Sequence, residues 1–267
     1  MGGSEKQMSF WEHLDELRTA LLKILAVTLA FGIAAFCFRE GLFNIMLAPK
    51  EPDFITYRLL GIAGSLFGND GGLPQFDVRL INTGLAQQFI IHMKTAVCAG
   101  VILASPYVVY QIFRFVSPAL YENERHYAVK VAGSGYLLFM SGVAICYFLI
   151  FPLTFRFLGT YQVSADVDNL ITLQSYMGTL LTMCLVMGIV FEIPVVAWMF
   201  AKLGFLKADF MKKYRKHAIV IILVVAAIIT PTSDIFTLFI VSLPIWLLYE
   251  ASIGIVRRAG SQYPTRK

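Results

Sequence analysis

The segment LITLQSYMGTLLTMCLVMGIVFEIPVVAWMFA (170–201) decides the fold. It holds a single charge, Glu192, in a length of chain that otherwise reads as lipid-facing or helix-packed. A helix needs about twenty apolar residues to cross ~30 Å of hydrocarbon, and this run exceeds that. Period-2 alternation is absent, which excludes the strand pattern of an outer-membrane barrel. A carboxylate near the bilayer centre costs roughly 2.5–3.5 kcal/mol on insertion scales, so Glu192 needs a reason to be there.

The rest of the chain repeats the pattern. Of 267 residues, 58% are hydrophobic and 15% charged, with mean hydropathy +0.70. Soluble domains run about 45–50% apolar and about 25% charged. Six apolar blocks stand out, at about 21–38, 95–113, 131–155, 170–201, 218–230 and 235–249. They predict an all-α, six-span membrane protein forming one membrane domain over 1–267. The long segment 39–92 forms an outer cap, with amphipathic pieces around Tyr57–Phe67 and Phe76–Ile81. The last two blocks are short for a full crossing, so they thin the bilayer or stop below its outer surface. ITPTSD (229–234) reads as a tight hairpin between them, with Pro231 breaking one helix and Asp234 capping the next.

The opening MGGSEKQMSFWEHLDELR has no apolar core leading to a small-residue cleavage site, so the first block is expected to be a retained span. Placing the N-terminus inside puts 16 of the 22 basic residues on the cytoplasmic side, among them Lys202, Lys207, Lys212, Lys213, Arg215 and Lys216. That asymmetry predicts both termini in the cytoplasm. The net charge of +5 therefore records orientation and gives no ground for nucleic-acid binding. Cys37, Cys98, Cys146 and Cys184 fall in different blocks without CxxC or CxxH spacing, and read as small hydrophobes. His13, His92, His126 and His217 lie near span ends. No HExxH or GxSxG occurs, and no acid pair suits buried acid–base chemistry. The expectation is no catalysis, no metal and no cofactor.

Cytoplasmic acids are few and bunched. WEHLDELRTALLK (11–23) carries Glu12 and Glu16 at i,i+4. FRFVSPALYENERH (113–126) has Ser117 and Pro118 as a helix start, followed by Glu122 and Glu124. These acids either pair with neighbouring bases as interfacial solvation, or receive a cationic ligand. A guanidinium suits the second role best, because it binds a carboxylate bidentately.

HLDELR (13–18), SPALYENER (117–125), YFLIFPLTFRF (147–157), FEIPV (191–195) and TPTSDIF (230–236) occur in this order across six spans. Together they resemble the TatC family, the multi-pass subunit of the twin-arginine protein translocase, over about Phe10 to Arg258. The resemblance implies a glove-shaped six-helix fold in a bacterial-type inner membrane. It implies a receptor and scaffold that binds twin-arginine signal peptides of folded cargo and recruits TatA- and TatB-type single-span subunits, with self-association. Transport would draw on the proton-motive force. Carried over by position, Glu16, Arg18, Phe115 and Glu124 match signal-peptide recognition. Glu192, beside Pro194, matches the acid in the concave groove. Pro49, Pro106 and Asp234 match positions for assembly or transport. The chain departs from the pattern at Ala20, where a second base is common, at Gln88–Phe89, where an acid often precedes the phenylalanine, and in its long outer segment.

Two rivals come from other classes. In a proton- or cation-coupled secondary transporter, Glu192 would be the coupling site on a helix broken near Pro194. An intramembrane enzyme would need the motifs that are missing. In the receptor reading, a buried acid is tolerated because it faces a polar partner; Glu192 would hydrogen-bond a polar side chain on a partner's membrane helix, rather than a serine or threonine within its own bundle.

Overall fold

The structure is a computed structural model that describes residues 10–66, 78–116, 128–162, 164, 169–230 and 234–260. The first span is α1 (Phe10–Cys37), with Glu12 in its first turn, where the helix dipole favours an acid. The cap follows as α2 (Arg39–Leu47), a 3₁₀ turn over Ala48–Lys50, α3 (Ile55–Leu66) and a two-residue strand β1 (Leu80–Ile81). The second span is α4 (Gln87–Val116). The third runs through α5 (Ala128–Ile145), a π-helical turn (Cys146–Ile150) and α6 (Phe151–Thr160). Strand β2 (Ile171–Thr172) leads into α7 (Leu173–Val190) and α8 (Ile193–Lys202), the two halves of the fourth span. A short α9 (Ala208–Lys213) precedes α10 (Arg215–Ile229) and α11 (Ile235–Gly260).

Among the described residues, five helical spans are long and apolar enough to cross a membrane. The sixth, α10, has 15 residues and falls short, as its apolar run implies. The last helix needs a correction: α11 has 26 residues, so only one of the final pair is short. Its apolar run does stop at Glu250, but the helix continues through Arg258. Arg215 at the start of α10 neutralises Glu250 at 2.6 Å, and Tyr249 donates to the Met211 carbonyl at 2.7 Å. Charges that looked like the helix end are interfacial residues along it. Asp234 is its N-cap, with Oδ1 accepting from the Thr237 amide at 2.8 Å. Pro231, the expected breaker, lies outside the described residues.

The core lies between the third and fourth spans, where Ile150, Phe151, Met177, Leu180, Met183 and Met187 are almost wholly buried. The first span packs differently. It meets α4 along a seam of Gly32, Ala35, Ala96, Ala99 and Gly100, residues small enough for two backbones to touch. Most of its remaining surface is apolar and exposed, as a lipid-facing span requires.

The cap is tied to the bundle by hydroxyl groups. The carbonyls of the last turn of α2 are where the bundle's hydroxyls attach, although Ile45 also accepts from the Ala48 amide. Tyr147 donates to the Ile45 carbonyl at 2.5 Å, and Tyr176 to that of Met46 at 3.0 Å. Tyr57 Oη reaches the carbonyls of Pro49 and Pro152 at 3.1 and 3.0 Å, so one proton is shared between cap and third span. Thr56 donates to the Phe148 carbonyl. The strands pair in parallel, Leu80 with Ile171 and Ile81 with Thr172, joining the segments that precede α4 and α7. A two-residue pairing is below what alternation can signal in sequence.

Candidate functional site

Two sites lie in the half of the bundle nearest the N-terminus. The first is a cleft of about 520 Å³ between the beginning of α1 and the end of α4. Glu16, Arg18 and Lys23 come from α1; Gln111, Arg114 and Phe115 come from α4. The seam makes the cleft: close approach at Gly32 and Gly100 fixes how the two helix ends face each other. One carboxylate oxygen of Glu16, Oε2, is buried and has no hydrogen-bond partner among the described residues. A carboxylate oxygen shielded from water is stabilised by a hydrogen-bond donor, and a cationic donor fits best. Phe115 forms part of the wall and stacks on His13, centroids 4.3 Å apart. A planar apolar surface beside a carboxylate also suits a guanidinium, which stacks as well as pairs.

Of the four expected recognition residues, the structure gathers Glu16, Arg18 and Phe115 into this cleft; Glu124 lies outside the described residues. Sequence reasoning missed Gln111. It is buried, lines the cleft and donates through Nε2 to the Tyr107 hydroxyl at 2.6 Å. The signal was available: Gln111 is an amide in an apolar helix, four residues from a tyrosine.

The second site is centred on Glu192. The fourth span breaks there, with α7 ending at Val190 and α8 starting at Ile193. Pro194 has no amide hydrogen, so the Val190 carbonyl loses its i+4 donor. The Glu192 amide turns instead to Ile189 at 3.0 Å, a tighter turn than the helix. The break aims the side chain at the third span. A Cβ placed on Gly135 would lie 3.1 Å from Glu192 Oε2 and 3.0 Å from Val109 Cγ1. The carboxylate thus occupies space left by the missing side chain of Gly135, between α4 and α5. Its Oε1 is buried and unpartnered among the described residues. No serine or threonine of the described bundle satisfies that oxygen.

Counting residues at 1.5 Å each sets the depth. Glu192 is ~15 Å from Lys202, and Gly135 and Val109 are each ~10 Å from the ends of their helices on that side. Val109 and Gln111 stand about 200° apart around α4. One face of α4 therefore lines the Glu192 pocket while the other lines the cleft.

Pro49 is buried in the 3₁₀ turn and anchors Tyr57 through its carbonyl. Pro106 interrupts α4, and the Ile102 carbonyl it frees is taken by the Ser105 hydroxyl at 2.7 Å. Neither contributes to the cleft or the acid pocket. Tyr57, outside the membrane spans, has its phenol pushed up to about 12 by burial, with Arg156 over its ring pulling slightly the other way. The cysteines are all free, and no cluster of three or more metal-ligating side chains occurs among the described residues.

Such a fold is a multi-pass α-helical membrane protein with one half-shielded carboxylate at a helix-end cleft and another in its interior. Its sequence matches the family model "Sec-independent protein translocase protein (TatC)" over residues 12–244. The chain belongs to the TatC family and is a protein-translocase subunit. It is 33% identical over 259 residues to the TatC of Blattabacterium sp. subsp. Periplaneta americana, covering 96% of this chain and 97% of that one. It is 35% identical over 254 residues to the TatC of Desulforapulum autotrophicum, covering 95% and 86%. Among solved structures, a crystal structure of the twin-arginine translocase receptor TatC superposes with a TM-score of 0.74 at 30% identity, covering 93% of this chain and 99% of that one.

Proposed function

We propose that this chain is the signal-peptide receptor and scaffold of a twin-arginine translocase, and not an enzyme. The α1–α4 cleft receives the paired arginines of a targeting peptide, with Glu16 and Glu124 as carboxylate acceptors and Phe115 as the stacking wall. The observation that carries this is the buried Oε2 of Glu16, without a partner among the described residues, inside a cleft open enough for a guanidinium. Arg18 and Lys23 at the same mouth favour an acceptor held on a basic surface, which rejects loose cations and admits a ligand able to make two directed bonds.

The Glu192 pocket docks a polar side chain from a membrane helix of a TatA- or TatB-type single-span subunit. The buried Oε1 of Glu192, unpartnered among the described residues, supports this, because buried polar atoms are ordinarily hydrogen-bonded. Both termini are cytoplasmic in this reading, supported by the basic bias, and the membrane is a bacterial-type inner membrane in which copies of the chain self-associate. Pro49, Pro106 and Asp234 serve assembly by shaping the cap, α4 and α11.

The test is photo-crosslinking in native membranes. A probe beside the arginine pair of a twin-arginine precursor should label α1 near Glu16 and α4 near Phe115, and its double-lysine variant should not. Equal labelling by both precursors overturns the recognition reading. Cysteine labelling from outside intact cells should reach position 53 and spare 207–216; the reverse pattern overturns the orientation.

A further inference from the structure

The opposite half of the bundle has a larger groove that neither site uses. It measures about 760 Å³ and lies between the starts of α4 and α7 and the end of α10. Gln87 and Gln174, near the first residues of α4 and α7, close its top by an amide bridge, Nε2 to Oε1 at 2.7 Å. That bridge sets a common level for two helices that run in the same direction. Seven residues further along α4, ~10.5 Å deeper, is Lys94; on α7, Thr179 and Thr182 are ~7.5 and ~12 Å below Gln174. A cation and two hydroxyls therefore line one groove, with the Thr179 hydroxyl at the level an upward-reaching Lys94 ammonium attains. Ile90, Leu181, Ile228 and Ile229 supply apolar wall, and no carboxylate lines the groove among the described residues. The groove is present because α10 ends at Ile229 and leaves the upper part of the bundle uncovered.

The geometry points to a binding site for one anionic phospholipid, its phosphate held by Lys94 and Thr179 near the headgroup level and its acyl chains along the apolar wall below, past Thr182. Depth favours a lipid over a water-borne anion. The α4 span of 29 residues is ~43 Å long against ~30 Å of hydrocarbon, so the Lys94 backbone sits just inside the apolar layer. Its four-carbon stem reaches the headgroup level by snorkelling, where a phosphate is the ordinary counter-ion. The amide bridge closes the top, and the short α10 leaves the membrane side as the way in. A single cation with hydroxyl donors is matched in charge and bonding by a single phosphodiester.

The protein purified in detergent is titrated with phosphatidylglycerol, with phosphatidylcholine of the same chains, and with inorganic phosphate, reading thermal unfolding and lipid retention by native mass spectrometry. Phosphatidylglycerol should be retained and raise the unfolding temperature more than phosphatidylcholine, and phosphate alone should do neither. Lys94→Gln should weaken phosphatidylglycerol retention about tenfold, while Lys213→Gln at the other end should leave it unchanged. Thr179→Val, which keeps shape and charge, should weaken it by a smaller factor. Equal response to both lipids, stabilisation by phosphate alone, or undiminished retention in Lys94→Gln overturns the proposal.

Discussion

Replacing Gly100 by alanine tests how the α1–α4 cleft is built. A Cβ on Gly100 would stand 2.7 Å from the Gly32 amide nitrogen, 2.8 Å from Gly32 Cα and 2.8 Å from the Thr28 carbonyl oxygen. All three are backbone atoms of α1, so no side-chain rotation relieves the clash. Ordinary contact begins near 3.5 Å, and α1 must back away by roughly 1 Å. Overpacking of this kind costs typically about 1–3 kcal/mol. The α1 span has little other burial to hold it, so the strain is discharged by moving α1 rather than by compressing the core. Glu16 and Arg18 travel with it, and Phe115 does not. The expected outcome is an apparent unfolding temperature lowered by several degrees and weakened binding of a twin-arginine peptide, read by thermal melts and by fluorescence titration in detergent. Gly254→Ala is the control, because nothing lies within 4 Å of its Cβ position; alanine there is neutral or stabilising by up to about 1 kcal/mol. If Gly100→Ala and Gly254→Ala melt and bind alike, the seam does not position the cleft and the reasoning fails.

Glu16→Gln should weaken peptide binding by one to two decades, since a charge-assisted bond is worth roughly 1.5–3 kcal/mol; an unchanged affinity in the titration refutes its role as acceptor. Glu192→Gln should keep partial partner crosslinking and Glu192→Ala should abolish it, with peptide binding intact in both; normal export by the alanine variant removes the docking role. Tyr57→Phe should loosen the cap by about 1–2 kcal/mol, seen as faster amide exchange over α2 and α3 with no change in the α1–α4 cleft. The same tyrosine gives a pH signature: its phenol is held up at about 12 in the fold against about 10 when unfolded. Its contribution is full below pH 10 and declines as pH rises toward 12, because the unfolded chain releases that proton first. Tyr57→Phe should flatten this part of the stability profile, and an unaltered profile refutes the assignment.

What sequence could and could not foretell follows from the range of the interactions. The spans were legible because hydrophobic runs are local, and the N-cap at Asp234 because capping is a matter of three residues. The Glu192 break was readable from Pro194 alone. That the acid would lie against Gly135 was not, because the two residues are 57 positions apart and glycine leaves no pattern where it makes room. Glu250 misled for a related reason. A charge in an apolar helix marks an end only if nothing neutralises it, and Arg215 does so from another helix. The tyrosine ties of the cap were similarly hidden, each spanning roughly a hundred residues or more except Pro49–Tyr57.

The three sites share α4. Its early turns carry Lys94 and its last two turns carry Val109 on one face and Gln111 and Phe115 toward the cleft. A helix used on so many sides has little freedom to move as a rigid rod without disturbing all of them. Pro106 falls between the groove and the two deeper sites, and it removes one hydrogen bond from the ladder. A proline inside a membrane helix normally leaves a carbonyl that lipid cannot satisfy. Here the Ser105 hydroxyl takes the Ile102 carbonyl, so the interruption leaves that group paired. The two halves of α4 are thus joined at a point where one backbone bond has been exchanged for a side-chain bond. The seam at Gly100 lies on the N-terminal side of that joint, and Val109 and the cleft-lining turns lie on the other. The exchange sits between Gly100 and Val109, so the turns that dock α1 and the turns that line the cleft are on opposite sides of it.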